Sequence, residues 1–352
     1  MWFNLLYIII GIVLVIWGAD RLTEGASNVA RRLSVPEVII GLTIVAAGTS
    51  APELFVSFMS ALKGTPDMAV GNVVGSNVFN TMLIVGCSAI VAPMAIARTT
   101  VTKDIPFAVA ASVLLYVVCM DEWESPHLWG NKISRWDGVL LLAGFAAFMV
   151  YTFSEAFRSG ALKHKPKKYD DDDDDDQRVK FYYEEEEELK QKAKAKLESA
   201  PVQPNVWLNL LWIVVGLACL IYGSDLFVGA ASSLAVRFGV KQSVVGLTIV
   251  AGGTSLPELA TSVVAAKKGQ SAMAIGNVIG SNVFNILLIL GLTAFVKPMH
   301  IMGITIIDLT AMLVSIVLVW MFAYTKYTVS RREGAVLVAG FFCYMGWLLY
   351  NL

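Results

Sequence analysis

Residues 41–86 read GLTIVAAGTSAPELFVSFMSALKGTPDMAVGNVVGSNVFNTMLIVG, and residues 246–291 read GLTIVAGGTSLPELATSVVAAKKGQSAMAIGNVIGSNVFNILLILG. A shift of 205 residues aligns the two without a gap, and 30 of the 46 positions are identical. Upstream the match is weaker but continues, with WGAD at 17–20 facing YGSD at 222–225. The chain is a duplication, so its fold must accommodate two copies of one unit.

The copies lie in apolar surroundings. The chain is 56% hydrophobic and only 16% charged, against roughly a quarter charged in soluble domains. Its mean hydropathy is +0.65. Ten segments are long enough to span a bilayer: 3–22, 37–62, 67–92, 104–120, 137–156, 205–225, 241–266, 271–296, 303–324 and 333–351. Each half holds five of them, an odd number, so the copies cross in opposite directions. The expected fold is an all-α integral membrane protein of ten transmembrane helices, arranged as two inverted-topology repeats, 1–156 and 205–352. Trp2, Trp123, Trp136, Trp207 and Tyr327 fall near span ends, as interfacial aromatics do. The opening MWFNLLYIII lacks a basic n-region and a cleavage site and is read as a retained first helix.

Basic residues set the orientation. With the N-terminus outside, the inner side holds Arg21, Arg31, Arg32, Arg98, Lys103, Lys267, Lys268, Lys326, Arg331 and Arg332. The outer side holds Lys63, Lys132, Arg135, Arg237, Lys241 and Lys297. The bias places both termini outside and residues 157–204 in the cytoplasm of a cell that carries the protein in its plasma membrane. That linker contains Asp170–Asp176 and Glu184–Glu188, and the Asp run repels itself into disorder. It lacks the alternating ligands and turn glycine of an ordered calcium loop. Basic residues scattered over loops offer nothing to a nucleic acid. Cys87, Cys119, Cys219 and Cys343 lie in apolar segments without CxxC spacing and are read as small buried hydrophobes.

The chemistry sits in the duplicated segments. Thr49, Glu53 and Ser57 share one helix face, with Ser50 beside them. Pro52 has no N–H and crowds the carbonyl one turn earlier, which loosens the backbone around Ala46 to Thr49. Freed carbonyls in a bilayer must be buried in protein, line a wet cavity or bind an ion. The second copy repeats the set with Thr254, Ser255, Pro257, Glu258 and Ser262. The neighbouring span adds Asn72, Ser76, Asn77 and Asn80, repeated as Asn277, Ser281, Asn282 and Asn285. Asn72 and Asn277 are read first as interhelical hydrogen-bonding amides; Ser76, Ser281, Asn80 and Asn285 are read as ion ligands. Carboxylates, hydroxyls and carbonyls are hard oxygen ligands suited to Ca²⁺ or Na⁺. A charge at the bilayer centre costs at least about 2.5–3.5 kcal/mol, so intramembrane glutamates mark function by default. Two glutamates carry a charge of −2, which one Ca²⁺ or two monovalent cations neutralise. Asp20 and Asp225 form a further matched pair, expected to cap helix ends or to meet loop cations.

GTSAPEL with GNVVGSNVFN, and GTSLPEL with GNVIGSNVFN, closely resemble the two alpha-repeats of the calcium/cation antiporter superfamily, which includes sodium/calcium exchangers. The resemblance covers nearly the whole membrane region but not the acidic linker. It implies a central cluster of spans 2, 3, 7 and 8, crossed by spans 1 and 6. It implies acidic ligands at Glu53 and Glu258, and hydroxyl and carbonyl ligands at Thr49, Ser50, Thr254 and Ser255. Backbone oxygens at Ala46 and Ala251 and the serines Ser76 and Ser281 complete the implied set. Some relatives, including potassium-dependent exchangers, carry Asp where this chain has Asn285, so potassium dependence is not expected. The expected function is secondary antiport of Ca²⁺ against Na⁺, without enzymatic activity, prosthetic group or protein partner. Exchange of Ca²⁺ for H⁺ through the same glutamates is the alternative, and a cation channel with a symmetric polar pore is a reading from another class.

Overall fold

A computed structural model describes residues 2–33, 35–119, 131–162, 206–238, 251–301 and 303–350. The polypeptide is helical almost throughout. Eight helices are long and apolar enough to cross a membrane, and a bent pair makes up to nine. The N-terminal part of the expected span 241–266 and nearly all of the acidic linker lie outside the described residues.

Helix α1 (Trp2–Leu33) is longer than the expected 3–22, because the charges that seemed to end it are satisfied locally. Arg21 bridges Asp20 (2.9 Å) and Glu24 (2.7 Å) and lies over the rings of Trp17 and Trp212. Asp20 is therefore inside a helix, not at its end. The next span is made of α2 (Glu37–Ile40), a π turn over Gly41–Val45, α3 (Ala46–Thr49) and α4 (Ala51–Leu62), with a 47° bend between α3 and α4. Then follow α5 (Pro66–Val78), a π segment Phe79–Ile84, α6 (Val85–Val91), a π turn Thr100–Asp104, α7 (Ile105–Cys119) and α8 (Arg135–Leu162). Helix α8 runs past residue 156, the expected end of the first unit.

The second half begins with α9 (Val206–Arg237), again far longer than the expected 205–225, so Asp225 is also mid-helix. It continues with α10 (Ala251–Thr254), α11 (Leu256–Lys267), α12 (Ser271–Val283), a π segment Phe284–Leu290 and α13 (Gly291–Val296). Helices α14 (Ile306–Lys326) and α15 (Arg331–Tyr350) end the chain.

Four short strands, absent from the all-α expectation, tie loops together. Strand β1 (Met94–Ala95) pairs with β4 (Thr328–Val329), and β2 (Asn131–Ile133) with β3 (Met299–Ile301), both antiparallel. Under the 205-residue shift β1 corresponds to β3, so each ribbon joins non-equivalent loops of the two halves.

The structure extends the repeat beyond its ungapped stretch. SRWDG at 134–138 and SRREG at 330–334 open α8 and α15 with the same reciprocal cap. Ser134 N–H donates to Asp137 Oδ2 and Ser330 N–H to Glu333 Oε2, each at 2.7 Å, and each acidic residue's N–H donates back to the serine hydroxyl. The offset has fallen to 196 residues, which is why an ungapped comparison misses it.

Small residues set the closest helix contacts. On α1, Gly11 and Gly18 face α9 so closely that a methyl on either would lie 2.7 Å from the carbonyl of Gly223 or Gly216. The core is drawn from α5, α7, α12 and α14 and the segments packed on them, while apolar side chains such as Phe3, Val150, Trp207 and Phe342 stay exposed on the outside. That inside-out surface is what a lipid solvent requires. The four cysteines are unpaired, and only Cys119 is buried; Cys343 is exposed, against the expectation of buried hydrophobes.

Candidate ion-binding site

Each half breaks its helix at a serine. Ser50 (φ −82°, ψ 7°) separates α3 from α4, and Ser255 (φ −91°, ψ 9°) separates α10 from α11. Pro52 and Pro257 stand in the first turn of the helix that follows, where a missing N–H is harmless. The break is tighter than the sequence suggested. The Ala46 carbonyl still accepts the Ser50 N–H at 2.9 Å, and the Val45 carbonyl lies 3.0 Å from Thr49 Oγ1.

The two breaks meet, and they meet crosswise. Ser50 Oγ donates to Glu258 Oε1 at 3.0 Å, and Ser255 Oγ donates to Glu53 Oε1 at 2.9 Å. Ser255 Oγ is also 3.2 Å from Ser76 Oγ on α5. Thr254 lies beside Glu53, and Thr49 and Ser281 lie beside Glu258. Each half's carboxylate is thus held by the other half's hydroxyl, a pairing no pattern within one repeat could reveal.

The asparagines seal the backbone around this centre. Asn72 Nδ2 reaches the Glu53 carbonyl (3.3 Å) and Ser57 Oγ (2.9 Å); Asn277 Nδ2 reaches the Glu258 carbonyl (3.4 Å) and Ser262 Oγ (2.9 Å). Asn277 Oδ1 also lies 3.1 Å from Thr49 Oγ1. Both amides hydrogen-bond between helices, as expected of them. One turn further, Asn80 Nδ2 donates to Asn282 Oδ1 (3.1 Å) and Asn285 Nδ2 to Asn77 Oδ1 (3.3 Å), again across the repeats. The sequence marked Asn77 and Asn282 only as neighbours of the ligand face; here they fix the amides of Asn285 and Asn80. Asn80 and Asn285 are the second residues of the π segments that continue α5 and α12, a geometry frequent at functional sites.

Burial is complete at the centre. Glu53, Glu258, Thr49, Ser255, Ser281 and Asn285 are 0% exposed. Ser50, Ser76, Asn80 and Ala46 are buried, Thr254 is half-buried, and the side-chain surroundings of Ala251 lie outside the described residues. One oxygen of each carboxylate, Glu53 Oε2 and Glu258 Oε2, has no hydrogen-bond partner among the described residues. The same holds for Asn80 Oδ1 and Asn285 Oδ1. None of the described salt bridges involves either glutamate. The two carboxylates also repel each other. Buried carboxylates with open lone pairs and no cationic side chain need a positive charge from elsewhere.

Gly276 and Gly280 of α12 are buried against the backbone of α2 and the π turn that follows it, where added methyls would lie 2.5 Å from the Val38 carbonyl oxygen and 2.7 Å from that of Leu42. Their equivalents on α5 are Gly71 and Gly75; residues 243 and 247, the counterparts of Val38 and Leu42 under the 205-residue shift, lie outside the described residues.

A multi-pass helical protein with two opposed helix breaks around paired buried carboxylates belongs to the class of membrane cation transporters. The family model described as sodium/calcium exchanger protein matches residues 3–154 and 208–350. The chain is 32% identical over 362 residues to the sodium/calcium exchanger MaX1 of Methanosarcina acetivorans, covering 99% of each. It is 38% identical over 293 residues to the putative antiporter CaxA of Alkalimonas amylolytica, covering 83% of this chain and 81% of that one. A solved structure of the sodium-calcium exchanger NCX_Mj superimposes with a TM-score of 0.75 at 26% identity, covering 98% of both chains. The chain belongs to the sodium/calcium exchanger family and is a cation antiporter, a member of a transporter rather than an enzyme family.

Proposed function

We propose that the chain exchanges Ca²⁺ for Na⁺ by alternating access at one site formed by Glu53 and Glu258. The carrying observation is the crosswise clamp, in which each carboxylate is oriented by the other repeat's serine and keeps one buried oxygen unpartnered. Thr49, Thr254, Ser50, Ser255, Ser76, Ser281, Asn80, Asn285 and the backbone oxygens of Ala46 and Ala251 supply neutral oxygens around this charge of −2. Among the described residues no group of three or more His, Cys, Asp and Glu side chains gathers. A hard, oxygen-rich site with only two charges suits Ca²⁺ or a pair of Na⁺ ions better than a soft metal. The same charges can hold either load but not both, and that competition is what couples the fluxes.

Ten spans in two inverted repeats, 1–156 and 205–352, are the reading that best fits the strand ribbons, in which equivalent loops never share a ribbon. In that reading the termini lie outside, residues 157–204 are cytoplasmic, and the protein sits in the plasma membrane. The unpartnered carboxylate oxygens would also take protons. Calcium uptake into proteoliposomes under separately imposed sodium and pH gradients decides between the two couplings. Uptake driven by the sodium gradient is expected. Uptake driven only by the pH gradient overturns the sodium assignment, and a conductance without exchange would indicate a channel.

A further inference from the structure

The shared cap that opens α8 and α15 begins a longer correspondence. At the offset of 196 residues, Gly138, Gly144 and Phe145 of α8 match Gly334, Gly340 and Phe341 of α15. At the offset of 205, Phe79, Met82 and Gly86 match Phe284, Leu287 and Gly291. The structure joins these two sets crosswise. Helix α15 of the second half lies on the π segment and α6 of the first, and α8 of the first lies on the π segment and α13 of the second.

The contacts repeat residue by residue. A methyl on Gly86 would lie 2.8 Å from the Gly334 carbonyl oxygen, and one on Gly334 would lie 2.7 Å from that of Gly86. A methyl on Gly138 would likewise lie 2.8 Å from the Gly291 carbonyl oxygen. About two turns further along each of these helices stands a phenylalanine. Phe341 meets Phe79 edge-on, with centroids 5.5 Å apart and planes at 88°. Phe145 meets Phe284 in the same way, at 4.9 Å and 80°. Beside these rings Gly340 faces Met82 and Gly144 faces Leu287, each 3.5 Å from where a methyl would stand.

The rings adjoin the amides of the ion site. Phe79 and Phe284 are the first residues of the π segments, and Asn80 and Asn285 are the second. Each phenylalanine turns outward to the other half's last helix, while the next residue turns inward. There the Nδ2 atoms of Asn80 and Asn285 are hydrogen-bonded and their Oδ1 atoms are buried without a partner. A roll of the π segment about its axis would swing ring and amide together, and the ring is wedged against the other half. We propose that Phe341, through Phe79, is a positioning residue for the Asn80 amide oxygen, and that Phe145, through Phe284, is one for that of Asn285. The last helix of each half thus aims a ligand carried by the other half. This rests on the reading of Asn80 and Asn285 as ligands. Ca²⁺ takes about six to eight oxygens, more than two carboxylates supply, so each amide oxygen held in place contributes to its affinity.

The test is calcium binding by the purified full-length chain in sodium-free detergent solution. It is read as the rise in melting temperature with added Ca²⁺, which reports weak binding as well as tight. Phe341→Leu keeps an apolar side chain but removes the ring pair, and should raise the calcium dissociation constant about two- to tenfold. Phe145→Leu should do the same. In an Asn80→Ala background Phe341→Leu should have no further effect, whereas in Asn285→Ala it should keep its full effect; Phe145→Leu should show the reverse dependence. A merely structural role would lower the calcium-free melting temperature and act equally in both backgrounds. Phe79→Leu and Phe284→Leu remove the same ring pairs from the other side, and they replace any variant that size exclusion shows to be misfolded. Unchanged calcium affinity on loss of the ring pairs, or an effect of Phe341→Leu that persists in Asn80→Ala, would overturn the inference. Binding needs no ion gradient, so the outcome is independent of which ion drives exchange. Calcium binding that Glu53→Gln abolishes but the ring variants leave alone refutes the positioning role and spares the site; a wild-type chain that binds no calcium refutes both.

Discussion

Replacing Gly280 by alanine tests how closely α12 is packed on the π turn and α3 of the first repeat. A Cβ at this position would lie 2.7 Å from the Leu42 carbonyl oxygen and 2.8 Å from both Leu42 Cα and Ala46 Cβ. These are backbone atoms or the first atom of a side chain, in residues 1% and 0% exposed, and none can rotate away. Helix α12 must instead move off the π turn and α3 of the first repeat. Overpacking of this kind costs about 1–3 kcal/mol, which disfavours this packing by a factor of about 5 to 150. Gly280→Ala is therefore expected to lower the melting temperature of the purified protein and to slow calcium uptake in proteoliposomes. No melting shift for Gly280→Ala would refute the inference that α12 is packed backbone-to-backbone against Leu42 and Ala46.

Glu53→Gln and Glu258→Gln each remove one of the two buried charges; uptake should be abolished while the protein stays folded by size exclusion, and near-normal uptake in either would remove that glutamate from the site. Ser50→Ala and Ser255→Ala each delete a hydrogen bond to a buried carboxylate, worth about 1.5–3 kcal/mol, so the calcium concentration for half-maximal uptake should rise about tenfold or more in both. A change confined to one serine would contradict the crosswise clamp. Deleting residues 165–198 should leave basal exchange intact, and a folded but inactive deletion would assign the acidic linker a direct role.

The duplication, the helical membrane class and the residues of the breaks were all legible in the sequence, because each depends on local composition and spacing. Pro52 and Glu53 announced a broken polar helix, and the bend falls at the residue pair before them. Span ends were less legible. Asp20, Arg21 and Glu24 read as the close of the first span, yet α1 continues to Leu33 because those charges neutralise one another and Lys268. The short ribbons were invisible, since two or three extended residues leave no period to detect. The fifth-span match was hidden by a change of offset. Which serine serves which glutamate could not be read at all, because Thr49, Ser50 and Glu53 look self-sufficient within their own helix.

That last point bears on why the unit is duplicated. Had each repeat clamped its own glutamate, either half could bury its carboxylate alone, and the second copy would only add capacity. The observed pairing is reciprocal: Glu53 depends on Ser255, and Glu258 on Ser50. A single repeat would carry a glutamate into the bilayer with neither oxygen held by the partner hydroxyl, at a cost of several kcal/mol in the absence of a counter-charge. Both halves must therefore be present before either carboxylate can be buried. The crossed asparagine contacts, Asn80 with Asn282 and Asn285 with Asn77, extend the same dependence one turn deeper. Because every such contact runs between the repeats, a shift of one half relative to the other changes the surroundings of both glutamates at once. In the proposed exchange, one site then presents its charge to either side in turn without being rebuilt.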